Sequence, residues 1–296
     1  MARVAFAPAK VNLFLHVGAP GADGYHPLCS LMAFADVGDR VGAHEAEALD
    51  LAVHGPFGRG LTGGDDNLVL QAARALIAAV RRPVMPFGLS LDKRLPVAAG
   101  LGGGSSDAGA ALRLLRAAVA PDLDDARLEA VAASLGADGA ACLWGRPVVA
   151  EGRGERLSPA PGLPPLDAVL VNPGVPVATA EVYRRLDAAG RFGDVTPPET
   201  PDAFEDAVEL AAWLAGQRND LEAAAIAVAP EVGAVLQTLA SEPECLLARV
   251  SGSGGSCFAL CASDIQAEGL AERLEAMAPG WWVQRCRLGG PWPDPD

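Results

Sequence analysis

The chain has 296 residues, half of them hydrophobic and a fifth charged, a composition typical of a globular protein and not of a disordered one. Its formal net charge is −14 at neutral pH and its cations form no cluster beyond isolated pairs, which argues against nucleic acid as a partner. The first residues do not form a secretion signal and no apolar run is long enough to span a bilayer, so we expect a cytoplasmic protein without a membrane partner.

The first half of the chain is predicted to mix strands and helices without regular alternation. Short apolar runs bounded by turn residues indicate strands, and apolar residues at helical spacing indicate helices. The predicted strands cover residues 11–17, 28–34, 39–44, 49–54, 87–92 and 148–151. The predicted helices cover residues 67–80, 105–118 and 125–135.

A proline-rich stretch at residues 158–165 interrupts this pattern and is interpreted as a linker between two lobes. Beyond it, strands are predicted at residues 168–171, 248–250, 256–261 and 282–287. Helices are predicted at residues 180–188, 206–215, 221–227, 230–241 and 267–277. The irregular order favours an α+β fold over a doubly wound sheet. We expect an amino-terminal domain at residues 1–158 and a carboxy-terminal domain at residues 159–296.

The strongest functional signal is the glycine-rich run from Pro96 to Asp107, PVAAGLGGGSSD, which lies between a predicted strand and a predicted helix. Three consecutive glycines at 102–104 remove every Cβ and allow the backbone to approach a ligand closely. Ser105 and Ser106 then open a helix, whose first amides have no partners within it and favour an anion. A turn simply capped by serine is the alternative. The density of glycine favours a phosphate cradle, and the missing Gly-Lys-Ser/Thr excludes a Walker loop.

Two charged residues are ambiguous on the sequence alone. Lys10 lies in an apolar strand, where a strand-edge charge that reaches water and a cation inside a cleft are both open. Asn12 follows two residues later and therefore shares its strand face. Asp138 comes after a predicted helix at a glycine turn, where the simplest role is to cap the next helix.

Taken together, four segments resemble the motifs of the GHMP kinase family. The run at 96–107 is similar to the second motif of that family, residues 8–15 (PAKVNLFL) to the first, and residues 251–256 (SGSGGS) to the third. Residues 23–26 (DGYH) resemble the loop with which one branch of the family recognises a cytidyl-diphosphate sugar alcohol. The resemblance implies a two-lobed GHMP kinase fold, with an amino-terminal lobe like domain 2 of ribosomal protein S5 and a ferredoxin-like carboxy-terminal lobe.

The resemblance also implies a role for individual residues. Asp138 would be the catalytic base and Lys10 the electrostatic stabiliser. ATP would be bound by Pro96, Gly100, Leu101, Gly102, Gly103, Gly104, Ser105 and Ser106, with Asn67 and Lys93 near the adenine. The acceptor, a cytidyl-diphosphate sugar alcohol, would be bound by Asn12, Tyr25, His26, Thr179 and Tyr183. Mg²⁺ would arrive with ATP and take Ser106 as a ligand. We expect a monomer or a homodimer.

Other interpretations of these residues and of the function stay open at this point. Asn67 also fits the start of a helix, Lys93 a solvated charge, and His26 a surface or capping histidine. The activity that the resemblance implies is ATP-dependent phosphorylation of the 2-hydroxyl of the cytidyl-diphosphate sugar alcohol, in the non-mevalonate isoprenoid precursor pathway. The alternatives are a GHMP kinase of the homoserine or mevalonate type and a non-catalytic regulator that binds a nucleotide.

Overall fold

A single β-sheet organises the protein, whose computed structural model describes residues 3–80 and 82–295. Ten strands of the described chain join this sheet. In chain order they are β1 (Arg3–Val17), β2 (Leu28–Glu45), β3 (Asp50–His54), β4 (Phe87–Asp92), β5 (Val148–Gly152), β6 (Arg156–Pro159), β7 (Leu166–Asn172), β8 (Leu247–Val250), β9 (Cys257–Cys261) and β10 (Trp282–Gly289).

Helices pack on the sheet through apolar faces. They are α1 (Leu68–Val80), α2 (Gly103–Val119), α3 (Asp125–Ser134), α4 (Gly139–Trp144), α5 (Thr179–Ala189), α6 (Ala207–Ala215), α7 (Glu222–Val228), α8 (Pro230–Ser241) and α9 (Asp264–Met277). Side chains that accept hydrogen bonds from first-turn amides fix four of the starts, at Asn67, Asp124, Asp206 and Ser263. None of the helices in the described residues combines the length and the apolar character that crossing a membrane requires.

The sheet is continuous from one half of the chain to the other. Strand β2 pairs with β1, β4 and β5, all antiparallel, and also with β10. Strand β10 then pairs with β7, which continues through β9 to β8. The register of β1 against β2 shifts between Pro8 and Lys10 and again between Asn12 and Phe14. Such irregularities redirect side chains, and here they bracket two of the predicted site residues.

The α+β class is confirmed, and the differences from the predicted elements have local causes. The strands predicted at 28–34 and 39–44 are one strand, β2, because the backbone continues through Asp36 and Val37. Helix α2 begins at Gly103, two residues before the predicted start, because the preceding glycine turns the chain into it. Helix α4 and strand β6 were not predicted, since both are short.

The stretch predicted as a linker, residues 158–165, is bound to its surroundings. Strand β6 ends at Pro159 and pairs with β5. Gly162 forms a bridge with Ala203, in which its amide donates to the Asp202 carbonyl at 2.8 Å. The division of the chain at residue 158 stays a prediction, because the sheet itself runs across it.

Candidate active site

The glycine turn is shaped by close approaches that only glycine tolerates. Gly100 has φ 74°, and a Cβ there would lie 2.3 Å from the Ser251 carbonyl oxygen. Gly102 has φ 61° and occupies the position before α2, where a Cβ would lie 3.0 Å from Cε of Lys10. The backbone amide of Lys10 donates to the Leu101 carbonyl at 2.8 Å. The turn is therefore held between β1 and the third glycine-rich segment, with the free amides of α2 at its end.

Lys10 and Asp138 lie side by side next to this turn. The Lys10 ammonium is 3.1 Å from Oδ2 of Asp138 and donates to Oδ1 of Asn12 at 2.7 Å. Lys10 is buried although it carries a charge, so it does not reach water from a strand edge. Asp138 occupies the position before α4 but makes no capping hydrogen bond with its side chain. Its carboxylate faces Lys10 instead of the helix, and remains partly exposed at 30%.

A chain of hydrogen bonds fixes the orientation of Asn12. Its Nδ2 donates to the Ser30 hydroxyl at 2.8 Å, and that hydroxyl donates to the Phe14 carbonyl at 2.6 Å. Its backbone amide donates to the Ser251 hydroxyl at 3.3 Å, which in turn donates to the Gly100 carbonyl. Because Nδ2 is committed to Ser30, Oδ1 is left to accept from Lys10. Ser30 carries no motif and could not be found from the sequence.

A cavity of about 620 Å³ opens in front of the glycine turn and the Lys10–Asp138 pair. Its lining includes nine of the ten residues predicted for ATP: Pro96, Gly100, Leu101, Gly102, Gly103, Gly104, Ser105, Asn67 and Lys93. Ser106 is the exception, since it is fully buried on α2 and does not line the cavity. Its hydroxyl lies against the Cys142 thiol, and no nitrogen or oxygen partner for it occurs among the described residues. Of the two serines, Ser105 is the one on the cavity wall.

Lys93 is not a solvated charge, because two carboxylates enclose it. Its ammonium donates to Oδ2 of Asp39 at 2.5 Å and to Oδ2 of Asp107 at 2.6 Å. The three residues are each less than 5% exposed, and Oδ1 of Asp39 accepts from the amides of Arg94 and Leu95. We refer to Asp39, Lys93 and Asp107 as the buried triad. It lies directly beneath the cradle, since a Cβ on Gly103 would be 2.9 Å from the Lys93 ammonium.

The buried triad has one ammonium group for two carboxyl groups, and this ratio together with burial explains the pKa shifts of Lys93 and Asp107. Burial lowers the pKa of Lys93, but Asp107 and Asp39 outweigh it, so the pKa of Lys93 is raised. Burial raises the pKa of Asp107 to about 8, because Lys93 offsets only part of the desolvation and Asp39 adds repulsion. Oδ1 of Asp107 has no hydrogen-bond partner among the described residues. The sequence showed no sign of this arrangement, because Asp39 lies 54 positions before Lys93.

Asn67 serves the start of α1 as well as the cavity. Its Oδ1 accepts from the Val69 amide at 3.0 Å, and its Nδ2 donates to the Thr62 carbonyl at 3.2 Å. The side chain therefore caps the helix, which was the alternative interpretation, while the residue also lines the cavity. Its contact with adenine stays a prediction.

A second cavity, of about 860 Å³, contains the aromatic residues predicted for the acceptor. Tyr25, His26 and Tyr183 line it, and Tyr25 is 61% exposed. The His26 ring lies 5.1 Å from the Tyr183 ring, and burial raises the pKa of the Tyr183 phenol to about 12. Nδ1 of His26 is 2.8 Å from the Gly18 carbonyl and its Nε2 is 3.2 Å from Oδ1 of Asp187. Both ring nitrogens thus face protein oxygens, and Asp187, which the sequence did not reveal, becomes part of the cavity wall.

The two cavities are neighbours. Leu28, Ala137 and Tyr183 line both of them, and Ala137 directly precedes Asp138. Thr179, at the start of α5, lines the first cavity, and its hydroxyl is 2.8 Å from that of Ser253. The arrangement places an anion cradle, a Lys–Asp pair and an aromatic chamber in one continuous cleft. No group of three or more His, Cys, Asp or Glu side chains suited to a metal ion occurs in the described part of the chain.

An anion cradle next to a lysine–aspartate pair in one cavity is an arrangement suited to a small-molecule kinase. Comparison with known proteins identifies the family. The model of the GHMP kinases N terminal domain matches residues 67–146, and that of the GHMP kinases C terminal matches residues 200–280. The chain belongs to the GHMP kinases, a family of small-molecule phosphotransferases, and is an ATP-dependent kinase of that family.

Individual relatives are similar over nearly the whole chain. The curated 4-diphosphocytidyl-2-C-methyl-D-erythritol kinase of Caulobacter sp. (strain K31) is 65% identical over 97% of this chain and 98% of its own length. The enzyme of that name from Hyphomonas neptunium (strain ATCC 15444) is 51% identical over 96% of each chain. A crystal structure of 4-(cytidine 5'-diphospho)-2C-methyl-D-erythritol kinase superposes with a TM-score of 0.76 at 36% identity, and covers 98% of this chain and all of the other.

Proposed function

We propose that this kinase transfers the γ-phosphoryl group of ATP to the 2-hydroxyl of 4-diphosphocytidyl-2-C-methyl-D-erythritol, in the non-mevalonate route to isoprenoid precursors. The observation that carries the proposal is the junction of the two cavities. Leu28, Ala137 and Tyr183 line both, and Asp138, which pairs with Lys10 in the first cavity, directly follows the shared residue Ala137. A donor in the glycine cradle and an acceptor in the aromatic chamber would meet there, as direct phosphoryl transfer requires.

Asp138 is suited to be the general base. Its carboxylate is partly exposed to the cleft and is not engaged in capping α4, so it is free to take the proton of an acceptor hydroxyl. Lys10, buried and 3.1 Å away, holds the carboxylate in place and stabilises negative charge on the attacking oxygen and the moving phosphoryl group. The hydrogen bond from Lys10 to Asn12 fixes the ammonium, so little reorganisation accompanies the reaction.

On the donor side, the amides of Gly103 to Ser105 at the start of α2 are suited to the ATP phosphates. The residues present fit an Mg²⁺ that is carried by the nucleotide, because the cavity wall offers the Ser105 hydroxyl and the described residues contain no cage of carboxylates. When bound, Mg²⁺ neutralises phosphate charge. The hydroxyl of Ser106, the predicted ligand, lies behind this wall.

On the acceptor side, the aromatic residues are suited to a cytosine ring. Tyr25 and Tyr183 line the second cavity, and aromatic rings of this kind can stack on a base. His26 can contribute through its backbone, since both ring nitrogens already face Gly18 and Asp187. Asn12, which contacts Lys10, and Thr179 both line the first cavity, where they can position the sugar alcohol.

The test is release of ADP by the purified protein with three acceptors offered in turn: the cytidyl-diphosphate sugar alcohol, homoserine and mevalonate. We expect turnover with the first alone. With that acceptor, Asp138→Asn should lower kcat by about 10²- to 10⁴-fold and leave the Kd for ATP nearly unchanged, because the change removes a base and no nucleotide contact.

Each part of the proposal has an outcome that would contradict it. Turnover with homoserine or mevalonate in place of the cytidyl compound would reject the acceptor. ATP binding without turnover on any acceptor would indicate a non-catalytic nucleotide-binding protein. Full activity of Asp138→Asn would reject the base.

A further inference from the structure

The second cavity has a cation that none of the assigned roles uses. Arg153 lines this cavity, and its guanidinium lies 4.2 Å from the centre of the Tyr25 ring. The same guanidinium pairs with Asp23, two residues before Tyr25. Arg153 and Asp23 are each about half exposed, so the pair lies at the cavity mouth and not in the core.

The backbone around Arg153 holds it close to the reacting pair. Arg153 sits between Gly152 at φ 71° and Gly154 at φ 108°, in the turn that joins β5 to β6. A Cβ on Gly154 would lie 2.8 Å from the Ala137 carbonyl oxygen, so the turn packs directly on the residue before Asp138. The carboxylate of Glu155 accepts from the Arg153 amide at 2.5 Å. The turn is thus a fixed platform, and Arg153 projects from it beside Tyr25.

The negative net charge of the chain explains why a cation is useful in the second cavity. The chain carries a net charge of −14, which opposes the binding of a diphosphate unless a local cation compensates. An arginine that stacks on an aromatic ring and offers a planar fork suits a diphosphate joined to a base stacked on the same ring. The present partner of Arg153 is no obstacle, because a half-exposed ion pair contributes only about 0–1 kcal/mol and is readily exchanged.

We propose that Arg153 is the acceptor's diphosphate-binding residue, which exchanges Asp23 for the acceptor diphosphate while Tyr25 stacks on the cytosine. The inference rests on the proposed function for the identity of the acceptor. The inference can nevertheless be tested without turnover, because it requires only that a cytidine bearing a diphosphate bind in the second cavity.

The experiment measures binding of CDP, CMP and cytidine by calorimetry, with ADP present to fill the donor cradle. Arg153→Ala should weaken CDP binding by about 10- to 100-fold and leave cytidine binding within about twofold. Arg153→Lys, which keeps the charge but not the fork, should lose less. In turnover, Arg153→Ala should raise the KM for the cytidyl acceptor by a similar factor and leave the KM for ATP unchanged.

Arg156→Ala is the matched control, because Arg156 lies on the same hairpin, is more exposed, pairs with Glu151 and is outside the cavity lining. Arg156→Ala should bind all three ligands as the native protein does.

Equal losses for CDP and cytidine in Arg153→Ala would overturn the inference, since Arg153 would then only support Tyr25. So would unchanged CDP binding, or a loss that appears instead in Arg184→Ala, the other arginine of the cavity. Native protein that binds CDP through Arg153 but does not phosphorylate the acceptor would reject the proposed function alone.

Discussion

Two buried lysines border the same cavity, and their partners separate their roles. Lys10 has one carboxylate, Asp138, which is itself partly open to the cleft. Lys93 has two carboxylates, both buried, and its ammonium makes its hydrogen bonds with them. An ammonium group whose hydrogen bonds already go to two buried carboxyl groups has little left for a ligand. Lys93 therefore supports the floor of the cradle, while Lys10 is the lysine available for the proposed chemistry.

Loss of the Lys93 charge is expected to destabilise the protein strongly. Lys93→Met leaves Asp39 and Asp107 buried without their cation, which should lower the free energy of unfolding by about 3–5 kcal/mol. Asp107→Asn should cost much less, because burial raises the pKa of that carboxyl to about 8 and the amide oxygen still accepts from Lys93. Urea unfolding at neutral pH measures both.

The double variant provides the control for this prediction. Lys93→Met combined with Asp107→Asn leaves only Asp39, whose carboxylate keeps the amides of Arg94 and Leu95 as donors. It should be more stable than Lys93→Met alone, so the effects should not be additive. Simple additivity would show that the triad is not coupled.

At the scale of elements, long and strongly patterned helices and strands can be predicted from the sequence. Short elements, and contacts between residues far apart in the chain, cannot. Helix α3 was predicted within one residue at its end, and α2 within two residues at its start, because glycine and serine mark that region. Helix α4 has six residues and no usable periodicity, yet it carries Asp138 at its start. The Lys10–Asp138 pair followed from family resemblance. The buried triad, Ser30 and Asp187 depend on tertiary packing, which no local pattern encodes.

Alanine substitutions at two glycines inside helices, Gly109 and Gly269, test how α4 is positioned. Gly109 lies in α2, where a Cβ would come 2.6 Å from the Cys142 carbonyl oxygen of α4. Gly109→Ala should therefore separate the two helices, lower the free energy of unfolding by about 1–3 kcal/mol and reduce kcat through displacement of Asp138. Thermal unfolding and steady-state kinetics measure the two effects.

The matched variant is Gly269→Ala in α9, where a Cβ would have no neighbour within 4 Å. There the same substitution only improves helix propensity, so it should raise the free energy of unfolding by about 0.5–1 kcal/mol with activity unchanged. Equal effects of the two substitutions would mean that α2 and α4 are not held by this close contact.

At the scale of the molecule, the carboxyl end of β1 joins the two halves of the chain. The Leu15 amide donates to the Arg218 carbonyl at 2.8 Å, and the Asp220 amide donates back to the Leu15 carbonyl at 2.9 Å. Arg249 donates to the Leu13 carbonyl at 2.7 Å. Together with the continuous sheet, these bonds tie the strand that carries Lys10 and Asn12 to the second half. We expect the halves to unfold together.

His16 makes this joint sensitive to pH. It is 3% exposed, and its Nε2 accepts from the Arg218 amide at 3.4 Å. Burial lowers the pKa of His16 below its ordinary value of 6.5, with Arg218 and Arg249 adding to the effect and Asp220 and Asp194 opposing it. The unfolded chain therefore binds the proton more readily than the folded protein. The stability from a neutral His16 is present above pH 6.5 and is lost as the pH falls from there towards the folded-state pKa.

Urea unfolding of the native protein and His16→Gln at about pH 7.5 and about pH 5.5 tests this, because glutamine keeps an acceptor for Arg218 and cannot titrate. The drop in unfolding free energy on acidification should be smaller in His16→Gln, by up to about 1.4 kcal/mol per pH unit below 6.5. His54→Gln, at an exposed position of β3, controls for the loss of a histidine as such. If the native protein and His16→Gln lose the same free energy, His16 is not the group that couples the joint to pH.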